Sequence, residues 1–288
     1  MTETIAGIEY SKPKVTLLQQ TGIGTSELAA RTCYDSFDNS ENEEVKYINN
    51  IIGKEPKEEL LNTSLQALNN IGHSDLLDTL AWTHFHYSIL EHINLTYLIR
   101  GTSRGVLQEH ARHRIQAISV RSTRYTMNSL LHAFIASNDD LEWFTNKVLE
   151  FNMFVITDKE YNKIEISSIF YKLKYQKDLL KDEFIKIIIA KSSIDGYNSL
   201  IGTPEDVNNM KFNYLESCKK KRNVGDNFKH LVTDNWKVDM IVTFNLRSLK
   251  NYFQLRDSGA AYFGIRWLAQ AMKEVTPSKY LDLIVKQH

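Results

Sequence analysis

Arg112, His113, Arg114, Arg121 and Arg124 all fall within the run Arg112–Tyr125, which contains no carboxylate. A run of this kind cannot enter a core, because an unpaired charge loses its hydration there and gains nothing in return. Any fold open to this chain must therefore leave the run at the edge of the apolar interior, facing water or an anion. Arginine forks match phosphate and carboxylate oxygens two at a time. The hydroxyls of Ser119 and Ser122 add donors within the same run. A bound anion would offset the repulsion among the cations, so the run reads as a phosphate-binding segment.

The rest of the chain can supply a core for this segment to border. It has 288 residues, 42% of them hydrophobic and 24% charged, in the range of globular proteins. The formal net charge is zero, which argues against a whole-chain grip on nucleic acid. Cys33 and Cys218 are the two cysteines, too few for a disulfide framework and in keeping with a reducing compartment. The first residues show no basic segment followed by an apolar one, so no signal peptide is expected. No apolar run reaches the roughly 20 residues that span a bilayer. These features predict a cytoplasmic protein without a nucleic-acid or membrane partner.

Prolines occur at positions 13, 56, 204 and 277 alone, which permits long uninterrupted elements. Residues 14–18 read as a strand. Helices are predicted over 26–34, with Ser26 as the cap, over 43–52, and over 75–82, with Ser74 as the cap. Ile93, Leu95, Tyr97 and Ile99 alternate with Asn94, Thr96 and Leu98, the pattern of a strand. A helix from about Thr102 to Arg112 then delivers the chain into the arginine run. Residues 128–225 are mostly helical by pattern, most clearly over 181–190 and 204–218, where Thr203 and Pro204 form a helix start. The basic run Lys219–Arg222 reads as a solvated helix end. Val238, Met240, Val242, Phe244 and Leu246 predict a second strand, followed by helices over 248–256 and 258–275. The order of elements predicts an α+β fold.

The residues able to do chemistry are unevenly spread. His84, His86, His92, His110 and His113 crowd one stretch, but they lack metal-ligand spacing and a nearby cysteine pair, so no metal is expected. Asn245, Arg247, Asn251 and Arg256 form a second polar group. At about 100° per residue Arg247 and Asn251 share a helix face, with Arg256 roughly 140° from Asn251, so the helix can serve two ligands or two sites. Gly22-Ile23-Gly24 lacks the third glycine of a dinucleotide-binding turn. Cys218, beside a lysine-rich helix end, reads as an inert thiol.

Three segments together resemble the flavin-dependent thymidylate synthase family. His86-Tyr87-Ser88-Ile89-Leu90-Glu91-His92 looks like its H-x-[ST]-x-x-E-H segment. Arg112-His113-Arg114, seven residues and Ser122 resemble its R-H-R-x7-S signature. Asn245-Leu246-Arg247-Ser248-Leu249, Asn251 and Leu255-Arg256 are similar to its N-x-R-S-L-x-N-F-x-x-L-R segment, and Ala30–Tyr34 is a weaker match. The resemblance implies one α+β domain over 1–288, an antiparallel or mixed sheet packed by long helices, with a divergent helical segment at about 130–225. It also implies a homotetramer with shared active sites that makes dTMP from dUMP, with methylenetetrahydrofolate as carbon donor and NADPH-reduced FAD as hydride donor. By the same resemblance, FAD contacts fall to Cys33, His86, Ser88, Arg112, His113, Arg114, Asn245, Arg247 and Asn251. Substrate contacts fall to Gln108, Glu109, Arg112, Val120, Arg121, Ser122, Thr123, Arg124, Lys229 and Arg256, and Arg256 is the catalytic candidate.

The chain departs from the family pattern at several edges. Glu109 stands where the family has Gln, Val120 where it has an acid, and Lys229 where it has Arg. Ala260 and Gly264 replace a His and a Glu of the segment after Arg256. The alternatives these departures raise are a dUMP hydroxymethylase on the same scaffold and a non-catalytic nucleotide-binding homologue.

Overall fold

The computed structural model describes residues 1–51, 58–180 and 229–285. The predicted helices over 181–190 and 204–218, the Thr203–Pro204 start, Lys219–Arg222 and Cys218 lie outside the described residues. So do the side chains of Arg124 and Lys229.

The strands are β1 (Thr2–Ile5), β2 (Ile8–Ser11), β3 (Lys14–Gln20), β4 (Asn94–Ser103), β5 (Ala117–Val120) and β6 (Lys237–Asn245). Chain contacts divide into two compact units. The first comprises Pro13–Thr102, Val106–Val120 and Asp239–His288, and the second Met1–Lys12, Ser103–Gly105 and Arg121–Val238.

The first unit is built on a four-stranded sheet of order β3-β4-β6-β5. β3 pairs antiparallel with β4, and β5 pairs antiparallel with β6. Alternation does what the sequence predicts: Leu95, Tyr97 and Ile99 of β4 and Met240, Val242 and Phe244 of β6 are buried in one core. Helices Leu246–Arg256 and Phe263–Val275 add Leu249, Tyr252, Phe253, Ile265, Leu268 and Met272 to it. Two buried tyrosine hydroxyls are satisfied. Tyr97 bonds Thr276 Oγ1 at 2.8 Å, and Tyr280 donates to the Thr21 carbonyl at 3.0 Å. Gly101 takes φ +75° and donates its N–H to Asp239 at 2.9 Å, a left-handed position that a side chain would strain.

Several boundaries differ from the sequence reading. The first helix spans Ile23–Thr32 with Gly22 at its cap. Ser26 is therefore inside the helix, and its buried hydroxyl donates to the Ile89 carbonyl instead of capping. Ser74 does cap Asp75–Trp82, accepting from Leu77 N. The helix expected over 102–112 spans Arg104–His110, because β4 continues through Ser103. The last long helix begins at Phe263, after a turn over Ser258–Ala261. β5 and the helix Ser278–Ile284 went unpredicted, since each is too short to show a period.

The two glycines of Gly22-Ile23-Gly24 serve packing. A Cβ on Gly22 would lie 2.4 Å from Asn69 Cα and 2.5 Å from the Leu68 carbonyl oxygen, where helix Glu58–Asn70 crosses. Gly22→Ala is therefore expected to destabilise the protein by about 2–3 kcal/mol, since backbone must move against backbone. Urea unfolding checks this, and an unchanged midpoint would show that the crossing is loose.

The second unit opens with the β1–β2 hairpin, turned by Ala6 and Gly7, both at positive φ. Helices Thr123–Ala136, Leu141–Glu150 and Lys159–Leu180 pack a separate core. The rings of Phe134, Phe144 and Phe170 meet there with centroids 5.3, 5.4 and 6.0 Å apart. This is the described part of the helical segment predicted at 130–225.

Candidate functional site

β5 splits the arginine run. Arg112, His113 and Arg114 lie in the loop between helix Arg104–His110 and β5, while Arg121 follows β5 and leads into helix Thr123–Ala136 of the second unit. The loop is held by Gln116, whose amide donates to the carbonyls of His110 (3.1 Å) and His113 (2.7 Å). Across from it, Asn245 caps helix Leu246–Arg256, its side chain accepting from Ser248 N at 2.8 Å. The loop and this helix line a cleft of about 680 Å³ with Arg112, His113, Arg114, Ile115, Arg247, Ser248, Asn251, Leu255 and Arg256.

Arg247, Asn251 and Leu255 follow each other at four-residue spacing on the face toward the cleft. Arg256 also lines this cleft. Its guanidinium is held on several sides. Nε donates to His113 Nε2 at 2.8 Å, Nη1 to the Glu109 carboxylate at 2.9 Å, and Nη2 to the Glu109 main-chain carbonyl at 3.1 Å. Arg112 lies 3.6 Å from the other Glu109 oxygen and is largely exposed. Arg247 pairs with Glu91 at 2.5 Å, both half-exposed. Arg114 has no ion-pair partner among the described residues and is exposed.

Beneath the loop lie two histidines that stay neutral. His110 is fully buried and hydrogen-bonded to the Tyr252 hydroxyl at 3.0 Å, and burial pushes its pKa down to about 4. The Tyr252 ring also meets His113 edge-on at 4.7 Å. His113 is shifted below the ordinary histidine value, first by burial and then by the Arg256 charge, with Glu109 opposing. The hydrogen bond from Arg256 requires His113 to keep Nε2 unprotonated, so its proton sits on Nδ1. Among the described residues no group of three or more His, Cys, Asp or Glu side chains is placed to hold a metal ion.

Of the residues singled out from sequence, the cleft brings together Arg112, His113, Arg114, Arg247, Asn251 and Arg256, with Glu109 joined through Arg256. His86 and Ser88 are exposed at a short 3-10 helix, Tyr87–His92, outside the cleft lining. That turn is fastened to the helix by Lys250, whose buried ammonium lies 4.0 Å from the Trp82 ring centre and 4.5 Å from that of Tyr87. Cys33 is exposed at the end of the first helix and donates to the Ala29 carbonyl. Within the weaker Ala30–Tyr34 match, Arg31 faces the buried carboxylate of Glu27 at 3.6 Å. Gln108 is exposed on its helix, and Val120 packs partly against the core at the end of β5. In the second unit Arg121 is exposed, Ser122 half-buried and Thr123 buried at the first turn of its helix. Sequence reasoning missed Ile115, Ser248 and Leu255 as cleft residues. The stripe through Arg247 and Asn251 pointed to Leu255, but apolar residues on a helix read first as core.

The family model described as thymidylate synthase complementing protein matches residues 16–279. A flavin-dependent thymidylate synthase from Campylobacter jejuni is 28% identical over 270 residues, 93% of each chain. One from Wolinella succinogenes is 26% identical over 269 residues, 92% of this chain and 94% of its own. A crystal structure of thymidylate synthase X from Helicobacter pylori with FAD and dUMP shares the fold. Its TM-score is 0.56 at 22% identity, covering 95% of this chain and 97% of that one. With the family model spanning most of the sequence, this chain belongs to the thymidylate synthase complementing protein family, of the flavin-dependent thymidylate synthases.

Proposed function

We propose that this chain converts dUMP to dTMP, with methylenetetrahydrofolate as carbon donor and NADPH-reduced FAD as hydride donor. The observation that carries the reading is the cleft itself, where the signature loop and the asparagine–arginine helix face each other. The curated relatives are named for this activity, and the similar H. pylori structure holds FAD and dUMP.

The donor set suits both nucleotides. Arg112 and Arg114 present exposed forks that can take phosphate oxygens in pairs. Ile115 and Leu255 offer an apolar wall for a flat ring, and Asn251 adds an amide at the same face. Arg112, His113, Arg114, Arg247 and Asn251 would hold the flavin nucleotide, which when bound supplies the hydride. Among the described residues, three of the five N–H groups of Arg256 are engaged, leaving two. Aimed at the pyrimidine edge, that pair stabilises negative charge at N3 and O2 and leaves C6 electron-poor, the role of a preorganised oxyanion site. No enzyme nucleophile is needed, which suits an exposed Cys33 bonded only to its own helix.

The same reading includes a homotetramer with shared active sites and a cytoplasmic location. No helix among the described residues is long and apolar enough to cross a membrane.

Mass spectrometry of the nucleotide formed from dUMP, methylenetetrahydrofolate, FAD and NADPH tests the proposal. dTMP is expected. Hydroxymethyl-dUMP would turn attention to Val120, Ala260 and Gly264, and no product at all would leave a nucleotide-binding protein.

A further inference from the structure

By the resemblance, Glu109 stands at a Gln position, and its side chain does something specific. Among the described residues it is the one carboxylate placed between two cleft arginines. One oxygen accepts from Arg256 at 2.9 Å and the other lies 3.6 Å from Arg112, while the Glu109 main-chain carbonyl takes a third contact from Arg256 at 3.1 Å. Arg256 is mostly buried, with 17% of its side chain exposed, and Glu109 is half-buried at 34%. A charge-assisted pair in such a setting is screened less than at an open surface. With His113 closing the Nε side, every contact of Arg256 holds its orientation within the protein.

We propose that Glu109 is a positioning residue, which sets the Arg256 guanidinium so that its two remaining N–H groups form a fixed pair of donors for an oxyanion-bearing pyrimidine nucleotide. The proposal rests on the dUMP reading above and assigns Glu109 a different task from the direct substrate contact implied by family resemblance. A carboxylate beside an anionic nucleotide would repel it. A carboxylate already neutralised by two arginines does not, and it limits the rotamers of a long, otherwise mobile side chain. Misplacing a catalytic group by about 1 Å costs roughly 100-fold in rate, so loss of the hold should show mainly in turnover.

The test is a double-mutant cycle on the full chain, read both as kcat with dUMP and as dUMP affinity by calorimetry. Glu109→Ala is expected to lower kcat by about 100-fold with thermal stability nearly unchanged. Glu109→Gln keeps an acceptor for Nη1 and is expected to recover most of the loss. In an Arg256→Ala background, Glu109→Ala should add no further loss to either readout, because a residue acting through another is strongly non-additive with it. Additive losses would overturn the proposal, as would a raised KM at unchanged kcat, which marks a direct ground-state contact. Failure of Glu109→Gln to recover would also overturn it. If the wild-type chain neither binds dUMP nor forms dTMP, the functional reading itself fails, an outcome distinct from additivity in an active enzyme.

Discussion

Arg256→Ala is expected to leave a folded protein whose turnover of dUMP falls by about 100- to 1,000-fold, the usual loss when one donor of a preorganised anion site is removed. The side chain is held by Glu109 and His113, not by the apolar core, so its removal opens no large cavity. It leaves the Glu109 carboxylate with only the more distant Arg112 at 3.6 Å. That uncompensated charge adds repulsion against an anionic nucleotide, so affinity for dUMP should fall as well. Arg256→Lys should recover little. Lysine keeps the charge, but a single ammonium cannot span His113 Nε2, the Glu109 carboxylate and the Glu109 carbonyl together. Steady-state kinetics with dUMP, alongside a thermal melt, separates the chemistry from the fold. A variant with wild-type kcat would remove Arg256 from the mechanism.

Acid should unfold this protein earlier than its carboxylates alone require. His110 and His132 are both buried, and burial lowers each from the ordinary 6.5 to about 4. Between those values the unfolded chain binds protons that the folded chain refuses, so stability rises with pH across this window. The stabilisation is complete above pH 6.5 and is lost as pH falls toward about 4. Each histidine accounts for about 3 kcal/mol over the window. Urea unfolding at a series of pH values from 7.5 to 4.5 reads the slope. His132→Gln should flatten it by up to one proton's worth, and an unchanged slope would show that His132 reaches water in the folded state. The cleft shares this sensitivity. His113 must keep Nε2 free to accept from Arg256, and its pKa is also lowered, so the contact survives to below the ordinary histidine range and is lost on further acidification.

Much of the fold is legible in the sequence because two strands carry strict alternation. Leu95, Tyr97 and Ile99, and Met240, Val242 and Phe244, had to face one core, and the arginines of the run had to stay outside it. Caps at Ser74 and Asn245 rest on single side-chain hydrogen bonds, and the first of them was predicted. Some of the elements missed exist because of a neighbour. β5 is four residues long and has no pattern of its own, and it becomes a strand because β6 offers an open edge. Ser26 has the chemistry of a cap, yet the close approach permitted by Gly22 moves the helix start three residues earlier and turns that hydroxyl inward.

The candidate site divides in the same way. Residue types and spacing, through the resemblance they carry, selected Arg112, His113, Arg114, Arg247, Asn251 and Arg256, because anion recognition needs arginine forks and these recur in a long, specific order. Only the tertiary structure decided what each arginine faces. It set Glu109 on Arg256, Glu91 on Arg247 and the Tyr252 hydroxyl on His110, pairs separated by 147, 156 and 142 residues. A sequence encodes local preference and periodicity within a few turns of chain. Which charge neutralises which across such separations depends on how strands and helices close on one another, and one sequence read along its length carries no record of that closure.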